Sequence, residues 1–356
     1  MLIDHTRLHR IVEGILRAGG SDADEAEIVA AHLVRANLTG HDSHGVGMIP
    51  AYVAIRQMGL LHPNTPARLV ADAGGILRFE GDRGYGQRVA REAMAAGIER
   101  AKEIGLALVS LANAHHIGRI GTYGEQAIAA GLVSLHFVNV VDHAPLVAPF
   151  RGADARYGTN PVCIAMPGGE TSEPILLDMA TSKIALGKVR VAMNKGEQVA
   201  PGILLDGAGQ PTSDPSVMFE EPRGALIAMG DHKGYGLAFM CELLAGVLTG
   251  GGTIQPGHER QNSIINHMFA VLVDPAKLVD LAWMRREIDA MVGYFLASPA
   301  RTAGEPVLKP GDPERLCDAE RRTAGIAIDE TTWREIRAAG DAAGFSAADI
   351  DAVLAV

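Results

Sequence analysis

The sequence predicts a mixed α/β protein with a strand-rich centre between helical ends. Three observations carry this. Apolar residues recur at helical spacing near the start, at Leu8, Ile11, Val12, Ile15 and Leu16. Aliphatic and β-branched runs bounded by turn residues gather between residues 106 and 178. Strands and helices alternate loosely rather than in strict βα units, so the order of elements alone leaves α/β and α+β both open. With 356 residues the chain has room for two domains and a large buried core.

The first helix stops at Gly19-Gly20. Ser21, with Asp24 three residues on, predicts a capping-box-like start for a second helix reaching about Leu38. The segment HDSHGVGMIPAYV (41–53) follows directly, and then a polar, proline-containing stretch, LHPNTPARLVADAGG. An amphipathic helix is expected over 88–103, with Val89, Met94, Ile98 and Ala101 inward and Gly105 as its stop. LALVSL (106–111), LVSLHFVNVV (132–141) and PILLD (174–178) read as strands. HHIGRIGTYGEQAIAAG, after the first, reads as a loop opening a short helix, and ATSKIALGKVRVAMNKG, after the third, as a helix capped by Thr181 or Ser182. KGYGLAFMCELLAGVLTG (233–250) reads as a buried helix, MFAVLVD (268–274) as a strand and 275–298 as a long amphipathic helix. Short helical patterns surround one strand, GIAID, in 313–356. The expected division is a helical N-terminal part over 1–75, a strand-rich domain over 76–298, and a C-terminal part over 299–356 that packs with the first.

Bulk properties narrow the function. Hydrophobic residues make up 47% and charged residues 21%, the balance of a globular chain. The net charge is −10 and no Lys/Arg-rich run occurs, which argues against nucleic acid as a partner. Cys163, Cys241 and Cys317 lie far apart without a CxxC pair, and read as reduced core thiols in a cytoplasmic setting. The start, MLIDHTRLHR, has no signal-peptide core, and the apolar stretch GLAFMCELLAGVLTG is interrupted by Glu242 and too short to span a bilayer. No membrane association is expected.

Several common site types lack their motifs. No GxGxxG follows a convincing strand; GDRGYG (81–86) and GRIGTYG (118–124) have the wrong spacing. Neither GxxxxGK[ST] nor HExxH occurs. His115-His116 stands where a strand meets a glycine-rich loop. A histidine there can give a proton to a carbonyl oxygen as hydride reaches carbon, or simply bond the backbone. HDSH offers His41, Asp42 and His44 as metal ligands, or Ser43 as a helix cap. LLDMATSK (176–183) could hold a phosphate at a helix start, or merely cap it. Lys233, between glycines in GDHKGYG, can meet a phosphate or carboxylate or stay solvated.

In order, the segments SHGV…Y, HHIGRIGTYGEQA, GTNPVCIAMP, LDMATSK, DGAGQPTSDP, GDHKGYGLAFMCELLAGVLTGG and PGDPE resemble the malate/L-lactate dehydrogenase family of the second type, from about residue 5 to about residue 340. That family includes ureidoglycolate and sulfolactate dehydrogenases and cyclic imino acid reductases. The resemblance implies a non-Rossmann NAD(P)-binding α/β fold of the sulfolactate dehydrogenase-like type, with 76–298 as the cofactor-binding domain. It implies NAD or NADP as cofactor, a small 2-oxo or 2-hydroxy acid as substrate, and a homodimer or higher assembly. By matching motif it makes His116 the proton donor and acceptor, and puts Ser43, His44 and Tyr52 in the active site. It places His44, Gly118, Arg119 and Ile120, then Asp178, Met179, Ala180, Thr181 and Ser182, then His232, Lys233 and Asn266, then Gly311, Asp312, Pro313 and Glu314, against the cofactor. It names no metal ligand.

Two positions depart from the family pattern. Met48 stands where the family usually has arginine, and Arg151 where the first of two glycines follows Pro149-Phe150. A substrate carboxylate then needs another cation, for which Arg119 is the first candidate and Arg151 and Lys233 the next. Alternatively, Met48 marks a broader, more apolar pocket for a bulky or aryl acid. Two further readings stand beside the dehydrogenase: a cyclic imino acid reductase, and a metal-dependent lyase or hydrolase built on HDSH and His116.

Overall fold

The computed structural model of the chain describes residues 1–355. A short strand β1 (Leu2–Ile3) leads into helices α1 (His5–Ala18) and α2 (Ala23–Leu38). Two tight helical turns, Asp42–His44 and Val46–Met48, carry the chain into α3 (Ile49–Gln57). There follow β2 (Arg68–Ala73), β3 (Ile76–Glu80), α4 (Gly86–Ile104), β4 (Leu106–His115), α5 (Gly121–Ala129), β5 (Val133–Val141), β6 (Val162–Met166), β7 (Ile175–Met179) and α6 (Leu186–Lys195). The short strands β8 (Leu204–Leu205), β9 (Pro211–Thr212) and β10 (Ala225–Leu226) precede α7 (His232–Cys241), which continues as a π-helical turn over Glu242–Val247. β11 (Ile265–Val273), α8 (Leu281–Leu296), α9 (Asp312–Ala324), β12 (Ile326–Ala327), α10 (Glu330–Ala343) and α11 (Ala347–Ala355) complete it.

The main sheet has seven strands in the order β2-β3-β4-β11-β5-β6-β7. All neighbours are antiparallel except β3 and β4. One core forms where α4 and α5 cover this sheet: Val89, Met94 and Ile98 meet Val109, Leu111, Ala270 and Leu272. A second core joins the two ends of the chain. Leu8, Ile11 and Ile15 of α1 pack with Leu33, Ile49 and Tyr52, and with Ile336 and Ile350 near the C-terminus. β1 seals this union by pairing antiparallel with β12, Ile3 opposite Ile326. Burying such side chains contributes roughly 1.5–3 kcal/mol each. A third, smaller core holds Val147, Val189, Leu204 and Leu226.

Several elements differ from the sequence reading. The cap of α2 is Asp22, one residue after Ser21. Its carboxylate accepts from the Glu25 N–H at 2.7 Å, while the Ser21 hydroxyl donates to the Glu25 side chain at 2.8 Å. β2, β3 and β6 are strands not expected from the pattern, and β2 lies on the N-terminal side of the expected 75/76 boundary yet joins the main sheet. α6 starts at Leu186, not at Thr181 or Ser182. Those hydroxyls donate instead to the carbonyls of Thr159 (2.8 Å) and Ile184 (2.8 Å), because Ser182 is still paired across to Ala228. The helix read as buried over 233–250 leaves Phe239, Met240, Val247 and Leu248 exposed. α8 is shorter than expected, starting after the Asp280 cap. No helix among the described residues is long and apolar enough to cross a membrane.

Candidate active site

β4, β11 and β5 end together, with Ile265 paired to His115 on one side and Val141 on the other. His116 is the first residue beyond β4 and is buried. Two glycines allow the surrounding close packing. A Cβ on Gly86 would lie 2.0 Å from the His115 carbonyl oxygen, so only glycine lets α4 begin against this turn. Gly118 holds φ +73, and a Cβ there would meet His32 Nε2 at 2.4 Å. His32 Nε2 accepts from the Arg119 N–H at 2.9 Å and fixes the loop from α2. From the sheet side, Asn266 Oδ1 accepts from the Ile117 N–H at 2.9 Å, while its Nδ2 donates to Asn139 O at 2.9 Å. Asn139 in turn donates to Glu242 at 3.1 Å, on the π-helical turn. Asn266, expected against the cofactor, thus has both ends of its amide committed to holding the His116 loop.

The structure brings His116, His44 and Tyr52 together. His116 Nδ1 lies 2.6 Å from the Tyr52 hydroxyl and its Nε2 lies 3.2 Å from His44 Nδ1. Gln87 Nε2 donates to the same Tyr52 oxygen at 2.7 Å, which makes Tyr52 the donor to His116 in this arrangement. Gln87 Oε1 is buried without a partner. Turning the amide over would let Oε1 accept from Tyr52 and let the Tyr52 oxygen accept from a protonated Nδ1. Burial pushes the His116 imidazole well below its usual range, helped by the neighbouring His44 and His115. Burial likewise takes His44 down to about 4, with His41 adding to it, and raises the Tyr52 hydroxyl. These shifts favour the neutral forms of His116, His44 and Tyr52.

The HDSH side chains do not converge on one point. His41 faces Glu314 at 3.5 Å, Asp42 binds Asn37 at 2.6 Å and Arg321, and His44 faces His116. The turn that holds Ser43 packs where Gly187 opens α6; a Cβ on Gly187 would lie 2.6 Å from Ser43 Cβ. Met48 packs against the core of the terminal helices.

A second polar group lies beside Gly118, Arg119 and Ile120. Arg119 is buried, donates to Glu125 at 2.9 Å and stands 3.6 Å from Asp178. Its charge is matched by two carboxylates, which corrects the expectation that it is the free cation for a substrate acid. Asp178 also accepts from the Gly121 N–H at 2.8 Å. Gly311, Asp312, Pro313 and Glu314 come alongside this end of β7, since the Leu176 N–H bonds Pro310 O at 3.3 Å. Asp312 is occupied by Lys309 (2.8 Å) and Arg315 (2.5 Å), which hold its carboxyl down to about 2 against the opposing effect of burial. Arg119 Nε and Nη2 and Glu314 Oε2 are buried without partners. Unpaired donors and an unpaired acceptor on neighbouring elements fit the amide, hydroxyl and phosphate groups of a nucleotide. Met179 and Ala180 continue from β7 toward Thr181 and Ser182, where Met229 N–H bonds Thr181 O at 2.9 Å. His232 and Lys233 open α7 just beyond, with Lys233 exposed and the His232 ring 5.7 Å from Phe150.

Sequence reasoning missed Gln87, Glu125, Asn139 and Glu242. Gln87, Glu125 and Asn139 sit in ordinary helical or strand patterns, and Glu242 stood out only as the charge interrupting an apolar stretch. For Gln87 the available signal was the glycine of GDRGYG before it.

Comparison with known proteins agrees with this architecture. Residues 3–337 match the family model described as malate/L-lactate dehydrogenase. Hydroxycarboxylate dehydrogenase B of Escherichia coli (strain K12) is 46% identical over 335 residues, covering 94% of this chain and 92% of its own. A solved structure of a putative malate/lactate dehydrogenase from E. coli superposes with a TM-score of 0.95 at 43% identity and covers 100% of both chains. A delta1-piperideine-2-carboxylate reductase from Pseudomonas syringae pvar. tomato superposes at 0.81 with 25% identity, covering 95% of this chain and 99% of its own. The family match and these relatives place the chain among the dehydrogenase-type oxidoreductases. The chain belongs to the malate/L-lactate dehydrogenase family.

Proposed function

We propose that the chain is an NAD(P)-dependent 2-hydroxyacid dehydrogenase with His116 as the proton donor and acceptor. The observation that carries this is the buried His116, held by Tyr52 at Nδ1 with its Nε2 turned to His44. Bound nicotinamide would supply or take the hydride. In oxidation, the substrate hydroxyl proton passes to His116 Nε2 as the adjacent C–H bond breaks and the carbonyl forms. Nδ1 then carries the other proton and donates it as a hydrogen bond to the Tyr52 oxygen, while the Tyr52 O–H donates to Gln87 Oε1 in the turned-over amide. In reduction the same imidazolium returns the proton to the carbonyl oxygen, and a bound carboxylate favours that charged form. Arg119, Asp178 and Glu314 are the residues that would hold the cofactor's polar groups. Ser43, Gly118, Ile120, the segment 179–182, His232-Lys233 and 311–313 form its surroundings.

The exposed apolar side chains of α7 and its π-helical turn, with Trp283, Met291, Tyr294 and Phe295 of α8, support a homodimer as the working form. The likeness to delta1-piperideine-2-carboxylate reductase favours a second reading, reduction of a cyclic C=N beside a carboxylate by the same proton donor. Following NADH and NADPH absorbance while pyruvate, oxaloacetate, 2-oxoglutarate, phenylpyruvate and a cyclic imino acid are added tests both. Oxidation by an oxo acid supports the dehydrogenase, oxidation by the imine alone supports the reductase, and silence across the panel removes both.

A further inference from the structure

Three non-glycine residues at the sheet end beside His116 hold left-handed backbone: Arg83 (φ 59), Asn113 (φ 56) and Asp142 (φ 70). Such conformations are unfavourable for residues with a Cβ and gather at functional sites. All three line one cavity of about 200 Å³, together with Arg260 and Ile265. Ile265 pairs with His115, so the cavity lies at the strand end that leads into His116. Asp142 is buried and accepts from Arg83 at 3.2 Å and from the Gln261 N–H. The Arg83 charge is therefore matched. Arg260 differs. Its Nη2 donates to the Ile254 carbonyl at 2.9 Å, and among the described residues no carboxylate pairs with it. Its charge also reaches His143, which in turn bears on His116.

The cations first considered for an acid substrate are placed otherwise: Arg151 stands 5.1 Å over the Phe150 ring and Lys233 is exposed at the start of α7. Met48 is packed into the terminal core, and Arg119 is held by Glu125 and Asp178. We propose that the cavity bounded by Arg83, Asn113 and Asp142 is the acid-holding end of the substrate site, and that Arg260 grips the substrate carboxylate. A guanidinium offers two parallel donors that match a carboxylate, whereas an ammonium acts as a single point charge. The Arg83–Asp142 pair fixes the opposite wall; Glu259 also lines the cavity, and among the described residues Arg260 is the guanidinium there without a carboxylate partner. This assignment rests on the 2-hydroxyacid reading of the preceding subsection.

The test compares wild type with Arg260→Ala and Arg260→Lys in two measurements. One is steady-state reduction of 2-oxo acids by the nicotinamide cofactor. The other is calorimetric binding of oxamate, an unreactive isostere of a 2-oxo acid, in the presence of that cofactor. Arg260 is exposed and bonds only a backbone carbonyl, so melting temperatures of the variants should match wild type. Arg260→Ala should raise KM and the oxamate Kd about 10- to 100-fold with kcat changed far less, and Arg260→Lys should recover part of this. An active wild type with KM and oxamate affinity unmoved in Arg260→Ala overturns the assignment and leaves the dehydrogenase reading standing. An inert wild type whose oxamate binding still depends on Arg260 overturns the dehydrogenase reading and retains the anion cavity. An inert wild type that binds no oxamate overturns both.

Discussion

Replacing Tyr52 by phenylalanine removes one oxygen from the middle of a buried relay. That oxygen sits 2.6 Å from His116 Nδ1 and receives a bond from Gln87 Nε2 at 2.7 Å. Both partners are buried, so neither gains a water in exchange. A buried polar group left unpaired costs about 1–3 kcal/mol, which puts the loss at roughly 2–6 kcal/mol for the two. At roughly 2 °C per kcal/mol for a large chain, Tm should fall by about 4–12 °C. The catalytic effect is separate. Without Tyr52, nothing fixes which nitrogen of His116 carries the proton, and part of the roughly 10²–10⁴-fold contribution of a positioned acid–base group is lost. A fall in kcat of about 10²-fold is expected, with cofactor affinity retained. Thermal melts and steady-state kinetics in both directions measure the two effects. A Tyr52→Phe enzyme with kcat within a factor of about two and Tm within about 1 °C of wild type would refute the relay.

Replacing Arg119 by methionine leaves Glu125 and Asp178 without their shared cation, so stability should drop by about 3–5 kcal/mol in denaturant melts; a change confined to KM would instead restore Arg119 as a substrate clamp. Burial lowers the pKa of His32 and His115 to about 3 and of His44 to about 4, with charged neighbours adding to each, so the unfolded chain binds more protons than the folded one below the ordinary value of 6.5. Stability should therefore be full above that pH and decline steadily toward pH 4, and a Tm that is flat from pH 7 to about pH 5 would contradict this. Because the pKa of His116 is also depressed in the free protein, kcat/KM for oxidation should stay level through neutral pH and fall only in acid, as the base is protonated. An oxidation rate that climbs as pH is lowered from neutral would oppose that role.

The helices were the most legible part of the chain. α1 and α4 carry long apolar stripes and clear stops: α1 ends at Ala18, just before the expected Gly19 stop, and α4 lies within two residues of the expected 88–103. β2 and β3 were hidden because they lie toward the edge of the sheet. β2 is almost wholly exposed and shows no alternation, and its turn glycines read as loop. The false helix start at Thr181 arose because hydroxyls after a strand look like caps, whereas here Ser182 forms an isolated antiparallel bridge to Ala228. His116, His44 and Tyr52 were found through ordered motifs, not through local pattern. Gln87 could not be found that way, since its role depends on how closely α4 approaches the His115 carbonyl at Gly86. The fate of Arg119 was equally hidden: a lone arginine in a glycine-rich loop gives no sign that Glu125 and Asp178 will surround it.

The most direct test of the account is the His116→Ala variant, assayed for nicotinamide oxidation with the 2-oxo acid that wild type reduces best, beside a measurement of cofactor binding. The account predicts a loss of kcat of about 10²-fold or more with cofactor Kd changed by less than about threefold, since His116 moves the proton and Arg119, Asp178 and Glu314 hold the nucleotide. A variant that binds cofactor and still turns over at the wild-type rate would contradict it.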